Sequence, residues 1–244
     1  TNTYNTAVGH NAGASVTTGA FNTLIGGLAG DALTDGYDNV AVGKGALSNE
    51  DRGAKNTAIG HEALATQNAG TGNTFNTAVG ASAGTAITTG IQNTLIGGLA
   101  GDALTTGQEN VAMGYAALDS DTAGKGSIAI GVNSLGVQNF STATYSNNVS
   151  IGHNSGASVT TGIQNVIAGA YAGDALTDAD NNIAIGYVAL SSDTLGSSSV
   201  AIGTSALSVQ NFTTATNSYN VAIGRNAGAS VTTGIRNNLI GGFT

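Results

Sequence analysis

Cysteine, proline and tryptophan are all absent from this chain, and only 8% of its residues are charged. Without cysteine it has no disulfide and no thiolate metal ligand. Six Lys and Arg stand against 14 Asp and Glu, for a net charge of −8. That balance excludes the cationic clusters that displace counterions from nucleic acid and those that dock on anionic lipid. No apolar run approaches the roughly 20 residues that a membrane helix needs, so no membrane insertion is expected. A disordered chain this polar usually carries proline and far more charge. What is present instead is 38 glycines and a 41% share of hydrophobic residues, mostly small or β-branched. That composition fits a thin, ordered core.

The chain repeats itself. Phrases of the type "NTAVGHNAG" begin at Asn5, Asn22, Asn39, Asn56, Asn76, Asn93, Asn110, Asn148, Asn165, Asn182, Asn220 and Asn237, with Ser127 and Ser199 in the two gaps. The spacing is 17 residues, except for 20, 21 and 21 after every fourth unit. Fourteen units therefore group into blocks of four. "GASVTTGAFNTLIGGLAGDALTDG" at Gly13 aligns with "GTAITTGIQNTLIGGLAGDALTTG" at Gly84. Periods of this kind mark stacked repeat architectures.

Counting each Asn as position 0, positions +1 and +3 are Thr or aliphatic and +2 is small, the alternation of a short strand. Gly follows at +4, suited to a tight corner. Position +8 reads Gly, Gly, Leu, Leu in each block, and the Gly units carry Val, Ile or Leu at +11 instead (Val16, Leu33, Ile87, Leu104). Each unit thus supplies one large core residue in one of two places, as layers of equal cross-section require. A helix is disfavoured, because most repeats contain two or three glycines at nearly 1 kcal/mol each. We expect an all-β parallel solenoid of about 14 coils, with two short strands and two turns per coil. At the strand spacing of about 4.8 Å it is a rod of roughly 65 Å. The 12 Asn side chains are expected to stack as a ladder, each amide bonded to those above and below.

The +2 column reads Ala7, Leu24, Ala41, Ala58, Ala78, Leu95, Ala112, Ala129, Ile167, Ala184, Ala201, Ala222 and Leu239, with Ser150 in the remaining unit and no charged residue in any of the 14. A small apolar stripe of this length is read as a candidate inter-chain seam of a homotrimer. The alternative is a narrow roll that buries both faces of its strands in one chain. The repeat is already under way at Asn5 and stops within a coil at "NNLIGGFT", so residues 1–244 are read as one repeat domain, an internal segment of a longer fibrous protein.

Reactive chemistry is sparse, and no cofactor or metal site is expected. His10, His61 and His153 all sit at +5, but Ala81 and Arg225 fill equivalent places, which a required metal ligand would not allow. Asp31, Asp102 and Asp174 recur in "GDAL" and are read as turn residues that bond their own backbone. Asp119 with Asp121, or Glu50 with Asp51, could be paired as glycosidase carboxylates, but nothing in their surroundings marks them as such. The Thr pairs such as Thr17-Thr18 and Thr88-Thr89 raise an ice-binding reading, which needs a flat Thr array in every coil. The long units bring Phe75, Phe140, Tyr145, Phe212 and Tyr219, candidate surface contacts for sugars or proteins. The alternative is that these rings seal the extension.

The phrase Asn-Thr-x-Ile-Gly-x-x-Ala-Gly and the downstream Thr-Thr-Gly resemble the repetitive shafts of phage tail fibres and related bacterial surface proteins. "GSIAIG" at Gly126 and "SSVAIG" at Ser198 resemble the heads of trimeric autotransporter adhesins. The resemblance implies a parallel β-roll wound as a trimer, exposed on a virion or cell surface. It also implies a non-enzymatic fibre whose glycan or protein receptor is met through parts outside this segment. The 17-residue coil is longer than the usual autotransporter head repeat. The competing class is a glycan-binding or glycan-cleaving tailspike.

Overall fold

The structure is a computed structural model and describes residues 3–243. Fourteen three-residue strands, from Thr6–Val8 to Asn238–Ile240, form one parallel sheet in chain order. Each +1 faces the next +1, each +2 the next +2, as in Thr6 with Thr23 and Ala7 with Leu24. The register survives the long units: Ile128 still faces Val149, 21 residues on. The extra residues leave the sheet and form three two-stranded parallel ribbons. These pair Gly53–Ala54 with Gly72–Asn73, Gly124–Lys125 with Thr144–Tyr145, and Gly196–Ser197 with Thr216–Asn217. The chain is therefore a parallel β-solenoid of about 14 turns.

A second strand is present only as the two-residue ribbon segments of six coils, not in every coil as expected. From +4 to +10 the backbone runs through turns, with left-handed residues at +6 and +8, such as Leu28 (φ 61°) and Leu47 (φ 53°). The +8 N–H groups reach to the next coil, Gly13 N to Ala29 O at 2.9 Å and Leu47 N to Ala63 O at 3.0 Å, and the +6 N–H groups to the preceding one, as Leu28 N to His10 O at 2.9 Å. Stacking is therefore continuous even where the strand geometry is lost.

The +4 corner needs glycine for two reasons. Its φ lies between +129° and +144° at all 14 positions, a region closed to residues with a Cβ. A Cβ on Gly114 would also lie 2.5 Å from Gly131 O of the next coil.

The core is one column of side chains down the axis. The +2 residues from Leu24 to Ala222 and the +7 Ala or Ser residues of the inner coils are fully buried. So are Leu47, Leu64, Leu118, Leu135, Leu190 and Leu207 at +8, and Leu33, Ile87, Leu104, Val159 and Leu176 at +11. The two-way placement of the large residue is thus realised. Where +8 is glycine, the neighbouring core takes its room: a Cβ on Gly30 would meet Leu24 and Leu33 at 2.8 and 2.9 Å.

The Asn column lines up as predicted, but its bonding is more specific than amide on amide. Most of these amides close their own coil and open the next. Asn22 Nδ2 donates to Gly36 O at 2.8 Å, and Asn39 N donates to Asn22 Oδ1 at 3.0 Å. The same pair of bonds recurs at Asn93 with Gly107 and Asn110, and at Asn165 with Ala179 and Asn182. Direct amide–amide bonds accompany them at some steps, such as Asn93 Nδ2 to Asn76 Oδ1 at 3.2 Å.

Candidate functional site

The candidate sites are surfaces and buried clusters of the rod. The candidate seam residues come first. Leu24, Ala41, Ala58, Ala78, Leu95, Ala112, Ala129, Ile167, Ala184, Ala201 and Ala222 lie fully buried inside their own chain. Leu239 packs against the same core, and Ala7 is exposed in the first coil. This column therefore cannot present an inter-chain seam. The physical reason is size: a roll only 17 residues around has little interior room, and small residues fill it.

The face that looks outward is +1 and +3. Burial along the strands runs half-buried, buried, then half-buried or exposed, as in Thr57–Ile59 and Ile183–Ile185. The +3 column reads Val8, Ile25, Val42, Ile59, Val79, Ile96, Met113, Ile130, Ile151, Ala168, Ile185, Ile202, Ile223 and Ile240. The +1 column is Thr, Val or Ile, ending in Asn238. Neither column holds a charged residue. The face is about 62 Å long and 10 Å wide from strand spacing and rise.

The acids separate by position. Glu50, Asp121 and Asp193 occupy +11 of the third coil of each block and are fully buried, with Leu at +8 filling the apolar room. Each is held by a glutamine one coil on: Gln67 Nε2 donates to Glu50 at 2.8 Å, Gln138 to Asp121 at 2.7 Å, Gln210 to Asp193 at 2.5 Å. Backbone N–H groups complete the set, Gly53 to Glu50 at 2.7 Å, and Gly124 and Phe140 to Asp121 at 3.0 and 3.1 Å. Each glutamine Oε1 then accepts from the first Asn of the next block, Asn76, Asn148 or Asn220. These carboxylates are structural groups of the interior. Their sequence neighbours Asp51 and Asp119 are half-buried, so neither suggested pair opens together into a cleft. The Glu50 and Asp121 burial escaped the sequence reading, although the +11 column itself (Leu33, Glu50, Gln67, then Leu104, Asp121, Gln138) carried the signal.

Asp31, Asp102 and Asp174 sit at +9. Burial pushes the Asp102 carboxyl above its ordinary value, and the Asp119 charge in the next coil adds to the rise. Burial likewise raises Asp119 and Asp174. Hydrogen bonds from the Thr160 and Thr161 hydroxyls, at 2.6 and 2.8 Å, lower Asp178. The Thr pairs form part of a longer +12 column whose hydroxyls mostly bond the next coil, as Thr88 and Thr105 do to Thr105 O and Thr122 O. Those hydroxyls are engaged in stacking. Among the described residues no group of three or more His, Cys, Asp or Glu could hold a metal ion, and no helix is long and apolar enough to cross a membrane.

The rings of the long units divide. Phe140 and Phe212 are 6% and 7% exposed and seal the extension, so they are not surface contacts. Phe75, Tyr145 and Tyr219 are about half exposed. Lys55 lies over Phe75 at 5.3 Å and Lys125 over Tyr145 at 5.6 Å. A second group of rings, at +5 and +6, was not anticipated. His153 and Tyr171 meet edge-to-face at 5.3 Å, as do Tyr171 and Tyr187 at 6.4 Å. No protein-family model, no curated protein and no solved structure matches the chain, and what its geometry establishes by itself is a parallel β-solenoid of about 14 turns.

Proposed function

We propose that this chain is a non-enzymatic structural rod, a fibre segment of a phage tail fibre or bacterial surface adhesin. It associates with two further copies of itself to form a homotrimer and holds a receptor-binding tip away from a surface. One observation carries the reading: the uncharged +1/+3 face runs the whole length of the rod with aliphatic side chains turned outward. A contiguous apolar strip of this extent marks an interface. Its flat projection of roughly 600 Å² is near the ~800 Å² per partner of a standard interface. A chain of net charge −8 can approach its own copy most easily through a face without charge. The resemblance of the Asn-Thr-x-Ile-Gly phrases to fibre shafts and adhesin heads supports the same reading. So does stiffness, since every coil is bonded to the next without a break.

Light scattering on the intact chain tests it, with a mass three times 23.7 kDa expected. Ile130→Lys with Ile185→Lys leaves the interior untouched and is expected to give monomers of unchanged circular dichroism. A monomeric wild type, or a trimer indifferent to these lysines, overturns the proposal.

A further inference from the structure

We propose that the edge formed by positions +5 and +6 in the middle of the rod binds an uncharged polysaccharide lying along the rod axis. Successive coils there present Tyr115, Val132 with Asn133, His153 with Asn154, Tyr171, Tyr187, and Thr204 with Ser205. Tyr115 and Tyr187 are 59% and 55% exposed. The Tyr115 ring lies over Gly98, where an added Cβ would come within 3.6 Å of it. His153, Tyr171 and Tyr187 continue the ridge ring against ring over three coils. Asn133 Nδ2 donates to Asn154 Oδ1 at 2.9 Å, which fixes a polar rail beside the rings.

The chemistry of the ridge favours an uncharged sugar: the two columns carry no Asp, Glu, Lys or Arg between Glu62 and Arg225. Rings offer faces to the C–H side of a pyranose, and the Tyr hydroxyls, Asn amides and Thr204 offer partners for its hydroxyls. An acidic glycan would find no cation in these columns. A chain running along the axis can touch rings in several coils at once, which raises its avidity. The surface is distinct from the +1/+3 face, so its failure would leave the fibre reading standing.

The test is affinity electrophoresis through native gels containing dextran, galactomannan, xyloglucan or alginate. The wild type is compared with a Tyr171→Asn/Tyr187→Thr variant, which uses residues the chain already places in those columns. Retardation by at least one of the three neutral polymers is expected, with about tenfold weaker binding for each ring removed. An unchanged melting temperature in the variant shows that the fold is retained. No retardation by any neutral polymer, retardation by alginate alone, or equal retardation of wild type and variant overturns the proposal.

Discussion

The sharpest test of how this solenoid holds together compares two serine substitutions in the Asn column. Asn93 makes the full set of bonds: Nδ2 to Gly107 O at 2.9 Å, and Oδ1 accepting from Asn110 N at 3.1 Å. Serine is too short to reach both. Asn93→Ser leaves Gly107 O and Asn110 N buried without partners, at about 1–3 kcal/mol each. Asn56 is different. It opens the fourth coil of its block, where the long unit carries the +14 carbonyl away, and its Nδ2 has no partner. At the equivalent places in the next two blocks the chain has Ser127 and Ser199, whose hydroxyls bond Ser146 and Ser218 at 2.6 and 2.5 Å. Thr74 stands where Ser146 and Ser218 stand, and it already bonds Asn56 Oδ1 at 2.6 Å. Asn56→Ser removes an orphaned donor and keeps a hydroxyl pair, while giving up one 3.2 Å bond from Asn76 N. We expect Asn93→Ser to cost about 2–5 kcal/mol, or roughly 5–15 °C in melting temperature for a chain of this size. Asn56→Ser is expected within about 1 kcal/mol of wild type, on either side. Thermal melts followed by far-ultraviolet circular dichroism read both. Equal losses for the two variants would refute the claim that the column works through side-chain-to-backbone closure.

Three further outcomes follow from the same geometry. Gly114→Ala, with φ +140° and Gly131 O in its path, is expected to cost more than about 4 kcal/mol. Gly70→Ala, at φ +75° in open space, is expected to cost only about 1 kcal/mol; urea titration separates the two. Asp121→Ala leaves Gln138 Nε2 with only its 3.2 Å bond to Ser127 Oγ and strands the N–H groups of Gly124 and Phe140. We expect a loss of about 3 kcal/mol, with strong non-additivity toward Gln138→Ala in a double-mutant cycle. For pH, the folded Asp102 and Asp119 carboxyls lie above 3.8, so the folded chain binds more protons than the unfolded chain just above that value. Stability from this pair therefore falls as pH rises through the raised values. Asp102→Asn is expected to flatten that part of the stability–pH curve, and melts taken between pH 3.5 and 6 would show whether it does.

Much of the fold could be read from spacing alone. A strict 17-residue period with Asn at 0 and Gly at +4 admits few solutions other than stacked coils, because only stacking turns a sequence period into columns. The compensation between Leu47 at +8 and Leu33 at +11 was visible for the same reason. The candidate surfaces were less legible. Alternation shows that +2 opposes +1 and +3, but not which side is inside, since Ala on one face and Val or Ile on the other suit either. The three-dimensional path decided that, by bringing the turn residues at +7, +8 and +11 round to cover Ala41 and Leu95 and leaving Ile130 and Ile151 outside. Likewise nothing in their sequence surroundings marked Glu50 and Asp121 as interior groups, because only the closed coil sets a glutamine from the next coil on each. Single residues carry identity and period; the side of the wall on which each one stands comes only from closure of the chain, because a coil has an interior only once its far wall is in place.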